Sequence, residues 1–342
     1  MRVVANIKRD FIFLKRLLRI ILGIVGVLLV LVLGLVVWSW TFPAVRPVSN
    51  PHPAADYADA MSRYQQTLQA DQSRNDLDPV CLPVLLSHGH KTARAIVLLH
   101  GLTACPSQFR QLGQALFEQG YNVYIPRLPR HGLADRKSNA LLDLTAEELV
   151  AALDPPLDLA AGLGDQVTVT GLSLGGNLSA LAGQLRPDVE LAAPMSPAFG
   201  LRLVPDFLSP VIARLLLGLP DFYIWWNPIQ QADFQAKSGY PGFSSHALGE
   251  ILRLGLAQRQ LAESKGPRAG HLLIITNWGD PGINLGATDG LAEQWRGHGA
   301  VVRVFRFPLL PWLPHDFVSP DSPFQRTDVA YPKLIELLGG ER

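Results

Sequence analysis

A serine hydroxyl becomes a nucleophile only where the backbone lifts it clear and a base stands ready for its proton. The run Val167-Thr-Val-Thr-Gly171-Leu-Ser173-Leu-Gly175-Gly176-Asn177 has residue types suited to the first condition. A β-branched stretch leads into Gly-x-Ser-x-Gly, and an apolar helical pattern follows, ending before Pro187. A strand that turns sharply into a helix projects the Ser173 side chain from the sheet edge. Residues two before and two after the serine crowd each other in that turn, and glycine relieves the crowding. The helix start also brings backbone N–H groups near any negative charge that develops beside Ser173. The same pattern suits a glycine-rich turn around an inert serine, so the partners decide.

A base must reach the serine, and a carboxylate must orient the base. Most of the nine histidines are poorly placed. His52 lies in a Pro-rich stretch, His246 in an irregular insert, and His271 and His298 before strands. His88-Gly-His90 reads as a hairpin turn and is weak as a metal pair. His315 follows the apolar run Val301–Phe305, in Pro311-Trp-Leu-Pro-His-Asp-Phe. It is the candidate base. For the acid, Leu272-Leu-Ile-Ile-Thr-Asn-Trp-Gly-Asp280-Pro is a strand followed by a turn that presents Asp280. Asp289 falls in the next helix, and Asp316 adjoins the base too closely to orient it. Ala95-Ile-Val-Leu-Leu99 runs into His100-Gly101-Leu102-Thr103. An oxyanion needs two N–H donors, here the backbone amides of Leu102 and Leu174. His100 reads as a brace for that loop.

The elements that position these residues alternate along the chain. Candidate strands are Leu82–Leu86, Ala95–Leu99, Asn122–Ile125, Val167–Thr170, Leu191–Ala193, Leu272–Thr276 and Val301–Phe305. Phe109–Gln119, Thr145–Ala152 and Leu174–Leu185 read as helices. Such alternation predicts a mostly parallel sheet covered on both faces, with sites beyond the carboxyl ends of its strands. Ser173, Asp280, His315 and Leu102 all meet that rule.

The chain order Ser173, Asp280, His315, with the glycine elbow and the His-Gly turn, resembles the α/β-hydrolase superfamily. HGLTACP from His100, PRLPRHG from Pro126, GLSLGG from Gly171 and LPHDF from Leu313 resemble its carboxylesterase and monoacylglycerol-lipase-like serine hydrolases. The resemblance covers roughly residues 82–338. It implies Ser173 as nucleophile, His315 as base, Asp280 as orienting acid and Leu102 and Leu174 as oxyanion donors. The turn Trp278-Gly279-Asp280-Pro281 departs from the more polar turn usual in such chains. The implied activity is cleavage of carboxylic esters of lipid-like or medium-chain acids through an acyl-enzyme. Acyl transfer, or amide or thioester hydrolysis, would use the same groups. A catalytically dead binding or scaffold protein on this fold would be expected to have lost one of them. No metal or organic cofactor is implied.

The implied fold is an α/β-hydrolase domain over 81–342, with a helical cap at about 197–268 inserted before the acid-bearing strand. In that insert Ser209 reads as the cap of a helix with Pro210 at its first position, ended by Gly218 and Pro220. Val211, Ile212, Leu215, Leu216, Phe222, Tyr223, Ile224, Trp225 and Trp226 form either the insert's own core or a cover over an acyl pocket.

The composition bounds the partners. Six of the 30 Lys and Arg lie in the first 19 residues, opposed there only by Asp10, so the remainder carries 24 basic and 28 acidic residues. A slightly acidic body without basic blocks argues against nucleic-acid binding. From Ile20 to Val37 every residue is Ile, Leu, Val or Gly, and Trp38-Ser39-Trp40 closes the run. A run of that length spans a bilayer, and its basic flank stays cytoplasmic. We therefore expect a cytoplasmic flank at 1–19, a transmembrane helix at 20–40 and an external body, periplasmic in a Gram-negative bacterium. The run exceeds the usual length of a signal-peptide core, and no small-residue cleavage site directly follows it. Residues 41–80 read as a spacer carrying Pro43, Pro47, Pro51 and Pro53, followed by a helix over Tyr57–Gln72. Two cysteines exclude a disulfide scaffold. In an external body Cys81 and Cys105 can pair; otherwise they are buried thiols.

Overall fold

The computed structural model describes residues 2–40, 45–229, 239–322 and 324–340. It divides into two units, Met1–Pro43 and Ala44–Arg342. The first holds helix α1, Arg2–Trp40. Its stretch Leu14–Leu35, with mean hydropathy 2.8 and none of it buried, is long and apolar enough to cross a membrane, a description a signal sequence also meets.

The second unit holds α2 (Tyr57–Gln72), β1 (Val84–Leu86), β2 (Thr92–Leu99), α3 (Arg110–Glu118), β3 (Asn122–Ile125), α4 (Ala146–Ala151) and α5 (Asp154–Leu163). There follow β4 (Gly164–Leu172), α6 (Leu174–Leu185), β5 (Val189–Met195), α7 (Ser209–Gly218), the ribbon β6 (Tyr223–Trp225) and β7 (Gly242–Ser244), and α8 (Ser245–Ser264). The chain continues with β8 (His271–Asn277), α9 (Leu285–Gly297), β9 (Val302–Phe307) and α10 (Thr327–Gly339). Seven strands form one sheet in the order β1-β3-β2-β4-β5-β8-β9. Only β1 runs antiparallel, against β3. Side chains alternate across a strand. Along β2, Val97 and Leu99 enter one core cluster with Val169, Leu178 and Trp295, while Ile96 and Leu98 enter another with Phe109, Leu112 and Met195. The sheet is thus buried on both faces, as parallel strands require.

The structure departs from the sequence reading in several places. His88-Gly-His90 is no hairpin, because β1 pairs with β3 and not with β2; His88 instead stacks on Phe117 at 4.1 Å. Helix α5 carries Pro155 and Pro156 in its first turn, where a missing N–H costs nothing. Their presence disguises the helix as a break. Ser209 does not cap α7: Leu208 holds that position without a side-chain bond, and Ser209 is the first helical residue. Helix α8 occupies part of the insert read as irregular, with Ser244 accepting from the amides of His246 and Ala247 at its start.

Within the spacer, Thr41–Ala44, and with them Pro43, lie outside the described residues, as do 230–238 of the cap. The rest of the Pro-rich stretch lies on the body. Ser49 Oγ and the Asn50 amide donate to Asp154, both at 2.6 Å, and the His52 amide donates to Asp158 at 2.9 Å. Arg186, fully buried at the end of α6, binds Asp154, Asp158 and Asp188 at 2.9, 2.7 and 2.6 Å. Burial opposes its charge, but the three carboxylates outweigh burial and hold the guanidinium charged.

Candidate active site

The turn from β4 into α6 sets Ser173 at φ 58°, ψ −110°, a left-handed conformation rare for a residue with a side chain. Its amide donates to the Met195 carbonyl at 3.0 Å, and its carbonyl accepts from Asn177 at 2.9 Å. The flanking glycines are required by space. A Cβ on Gly175 would stand 1.9 Å from the Leu99 carbonyl oxygen, and one on Gly171 2.5 Å from the same oxygen. No ordinary rotamer change relieves a backbone collision of that kind.

His315 and Asp280 meet from the ends of β9 and β8. Nδ1 of His315 lies 2.9 and 3.0 Å from the two carboxylate oxygens of Asp280. Asp280 is fully buried, and its Oδ1 also accepts from the Gly282 amide at 2.8 Å. Arg202, just before the cap helices, donates to the Asp280 carbonyl and secures the turn. Burial pushes the Asp280 carboxyl up, but the charge and hydrogen bond of His315, with the Gly282 amide, outweigh it and hold the pKa below the ordinary value. Burial pulls the His315 imidazole down; the Asp280 charge and hydrogen bond, with Asp316, overcome this and raise its pKa above the ordinary value. The rejected acids have other work. Asp289 pairs with Arg306 at 2.5 Å, and Asp316 accepts from the amides of Val318 and Ser319.

The loop after β2 carries Leu102. His100 beneath it is fully buried, and the Leu128 amide donates to its Nε2 at 3.0 Å. The other nitrogen, Nδ1, therefore carries the proton and donates to the Gly101 carbonyl at 3.0 Å. That carbonyl and the Leu102 N–H share one peptide plane and point opposite ways. By gripping the carbonyl, His100 aims the amide. Burial, reinforced by His131, holds the His100 pKa well below the usual range, so the neutral tautomer persists. Leu174 begins α6, where the first N–H groups have no intrahelical partner. Cys81 and Cys105 are joined in a disulfide, with Cα atoms 5.3 Å apart, which ties the same loop to the chain ahead of β1.

Leu102, Ser173 and His315 open onto one cavity of about 590 Å³. Cap residues Trp226, Phe243, Leu248, Ile251 and Leu252 wall it. Of the apolar cap residues singled out in the sequence, only Trp226 is in that wall. Helix α7 instead packs on α8, with Leu216 and Leu217 against Gly249, so its apolar run serves a contact within the insert, while Phe222 stays half exposed. The Trp226 indole donates to Thr103 Oγ at 2.9 Å, and the Tyr240 amide donates to the Thr103 carbonyl at 2.8 Å. The cap thus rests on the loop that carries Leu102.

Sequence reasoning missed His131 and Gln108. His131 is fully buried, 4.9 Å from the His100 ring, and burial lowers its pKa to about 4. The phrase PRLPRHG contains it, but nothing local marks it as the neighbour of His100. Gln108 sits on the short turn after Cys105, Pro106–Phe109, and bonds across 208 residues.

Comparison with known proteins agrees with this architecture. A family model described as "Alpha/beta hydrolase family" matches residues 96–339. A thermostable monoacylglycerol lipase of Bacillus sp. (strain H-257) is 30% identical over 103 residues, which are 30% of this chain and 40% of that protein. The match thus spans less than half of that relative. A solved structure from work on the metagenome-derived lipolytic enzymes LipS and LipT superposes with a TM-score of 0.57 at 20% identity, over 78% of this chain and all of the other. The monoacylglycerol lipase of Paleococcus ferrophilus does so with 0.54 at 17% identity, over 75% of this chain and 97% of its own. At such identities the two structures speak for the fold.

Proposed function

The chain belongs to the α/β hydrolase family, and from that premise we propose that it is a membrane-anchored serine hydrolase of carboxylic esters. The observation that carries this reading is Ser173 held at a strained strand–helix turn, opening onto the same cavity as His315, whose far nitrogen is bound to buried Asp280. Ser173 Oγ attacks the ester carbonyl while His315 Nε2 takes its proton. The Leu102 and Leu174 amides stabilise the oxyanion. Collapse transfers the proton from His315 to the departing alcohol and leaves the acyl group on Ser173. Water, deprotonated by His315, then releases the acid and restores the serine. Asp280 holds the imidazole with its proton on Nδ1. A fluorophosphonate probe should label wild-type protein at Ser173 alone; an unlabelled protein would end this reading.

His315 must be neutral to accept a proton, and its pKa is raised. kcat/KM should therefore fall as pH drops through a midpoint above the ordinary histidine value. Asp280, with its lowered pKa, stays ionised across that range. A pH–rate profile whose acid limb lies below the ordinary histidine value would contradict the pairing.

The substrate reading rests on the apolar wall. The cavity size is ordinary for a ligand of drug size. Each acyl methylene buried against Leu248, Ile251 and Leu252 should contribute about 0.8 kcal/mol, roughly fourfold in kcat/KM. We propose medium-chain or lipid-derived esters, and monoacylglycerol lipases among the relatives agree with that class. kcat/KM measured across esters of two to sixteen acyl carbons should rise until the cavity is full. A steady fall from the two-carbon ester onward would overturn it.

The span in α1 would hold the body at a bilayer that supplies such esters, with the basic flank cytoplasmic and the body outside. The Cys81–Cys105 disulfide supports that placement, because disulfides persist in oxidising compartments.

A further inference from the structure

Gln108 is buried, lines the active-site cavity, and joins two loops that no strand pairing connects. Its Oε1 accepts from the Gly101 amide at 2.8 Å. Its Nε2 donates to Asp316 Oδ2 at 2.9 Å. Gly101 precedes the oxyanion donor Leu102, and Asp316 follows the base His315. One planar amide therefore spans from the loop after β2 to the loop after β9, at opposite sides of β4, β5 and β8 in the sheet. Both ends are held elsewhere. Asp316 Oδ1 is occupied by the Val318 and Ser319 amides, so Oδ2 faces Gln108 in a fixed orientation. The turn bearing Gln108 starts at Cys105, which the disulfide anchors. The His100 grip on the Gly101 carbonyl completes the clamp.

We infer that Gln108 is a positioning residue that sets the separation between the Leu102 oxyanion donor and the His315 base. It touches neither reacting atom. Its effect falls on the transition state, where donor and imidazole must act on one tetrahedral centre at the same time. Misplacing a catalytic group by about 1 Å can cost on the order of a hundredfold in rate.

The inference rests on the triad reading above, so the test separates the two. Full-length protein in detergent is first titrated with a fluorophosphonate, and kcat is expressed per labelled Ser173. Q108L is expected to lower kcat by roughly 10- to 100-fold with KM within about threefold of wild type. Q108E sets two acceptors against each other at Asp316, and D316N sets two donors against each other at Gln108; each should show the same loss. The double variant Q108E/D316N reverses donor and acceptor and restores every bond, so its kcat should return to within about threefold of wild type. A merely structural role would lower Tm in Q108L and leave kcat per labelled site intact, and that result overturns the inference. An inactive double variant, folded or not, overturns it as well. An unlabelled wild-type protein would remove the triad reading itself and this inference with it.

Discussion

Ser173→Ala should abolish ester hydrolysis while leaving the fold intact. In a serine protease, loss of the nucleophile lowers kcat by about 10⁶, and the residue of activity comes from the oxyanion hole and binding. Here we expect a fall of at least about 10⁴ in kcat on p-nitrophenyl esters, with unchanged circular dichroism. The substitution leaves the backbone strain as it was, because Ser173 already holds a positive φ that alanine tolerates no better and no worse. Tm should therefore move little. The alanine variant should also lose labelling by the fluorophosphonate. Turnover within tenfold of wild type would place the nucleophile elsewhere.

Arg186→Met should have the largest effect on stability. The guanidinium is fully buried among Asp154, Asp158 and Asp188. Two of those carboxylates also hold the segment from Ser49 to His52. Removing the cation leaves acids packed together without their counter-charge. Breaking a buried ion pair from one side typically costs about 3–5 kcal/mol, which corresponds to a Tm lower by roughly 5–8 °C in a domain of this size. Arg186 lies at the far end of α6 from Ser173, roughly 20 Å away at the rise of an α-helix, so kcat per folded molecule should hold. A Tm within about 2 °C of wild type would show that the cluster contributes little. Combining Arg186→Met with Asp158→Asn should recover part of the loss.

The candidate site was legible where chemistry writes itself into local sequence. A nucleophile turn needs glycines at fixed offsets because of backbone collisions, and Gly171 and Gly175 show those collisions against Leu99. Asp280 and His315, which the structure brings into one hydrogen-bonded pair, could be picked out as candidates because sites in a parallel sheet lie beyond the carboxyl ends of its strands. The sheet itself was readable from its apolar runs. What stayed hidden depends on contacts between distant residues. Gln108 and Arg186 look like any polar side chain on a helical stretch until the fold brings their partners 208 and 28 to 32 residues away. Helix α5 hid behind Pro155-Pro156, and α10 behind an internal Pro332. The sequence leaves open whether the apolar run of α7 covers a pocket or packs within the insert, because it is denser than that of α8. Yet α7 spends that run on α8, and α8 presents the thinner set, Leu248, Ile251 and Leu252, to the cavity. Density of apolar residues reports burial and not what they are buried against.

The resting place of the cap has a kinetic meaning. Trp226 and Tyr240 both bond to Thr103, one residue beyond Leu102. Lifting the cap would break these two hydrogen bonds, each worth about 1 kcal/mol and together a factor of roughly thirty, besides the bonds of Tyr240 and Gly239 to Arg130, Leu133 and Arg136. Thr103 also keeps its positive φ of 69° under that load, a conformation costly for a β-branched residue. Without the cap those two bonds no longer steady Thr103, while His100, Gln108 and the disulfide still hold the rest of the loop. Any movement of the cap to admit substrate would therefore be felt at Thr103, beside the Leu102 amide.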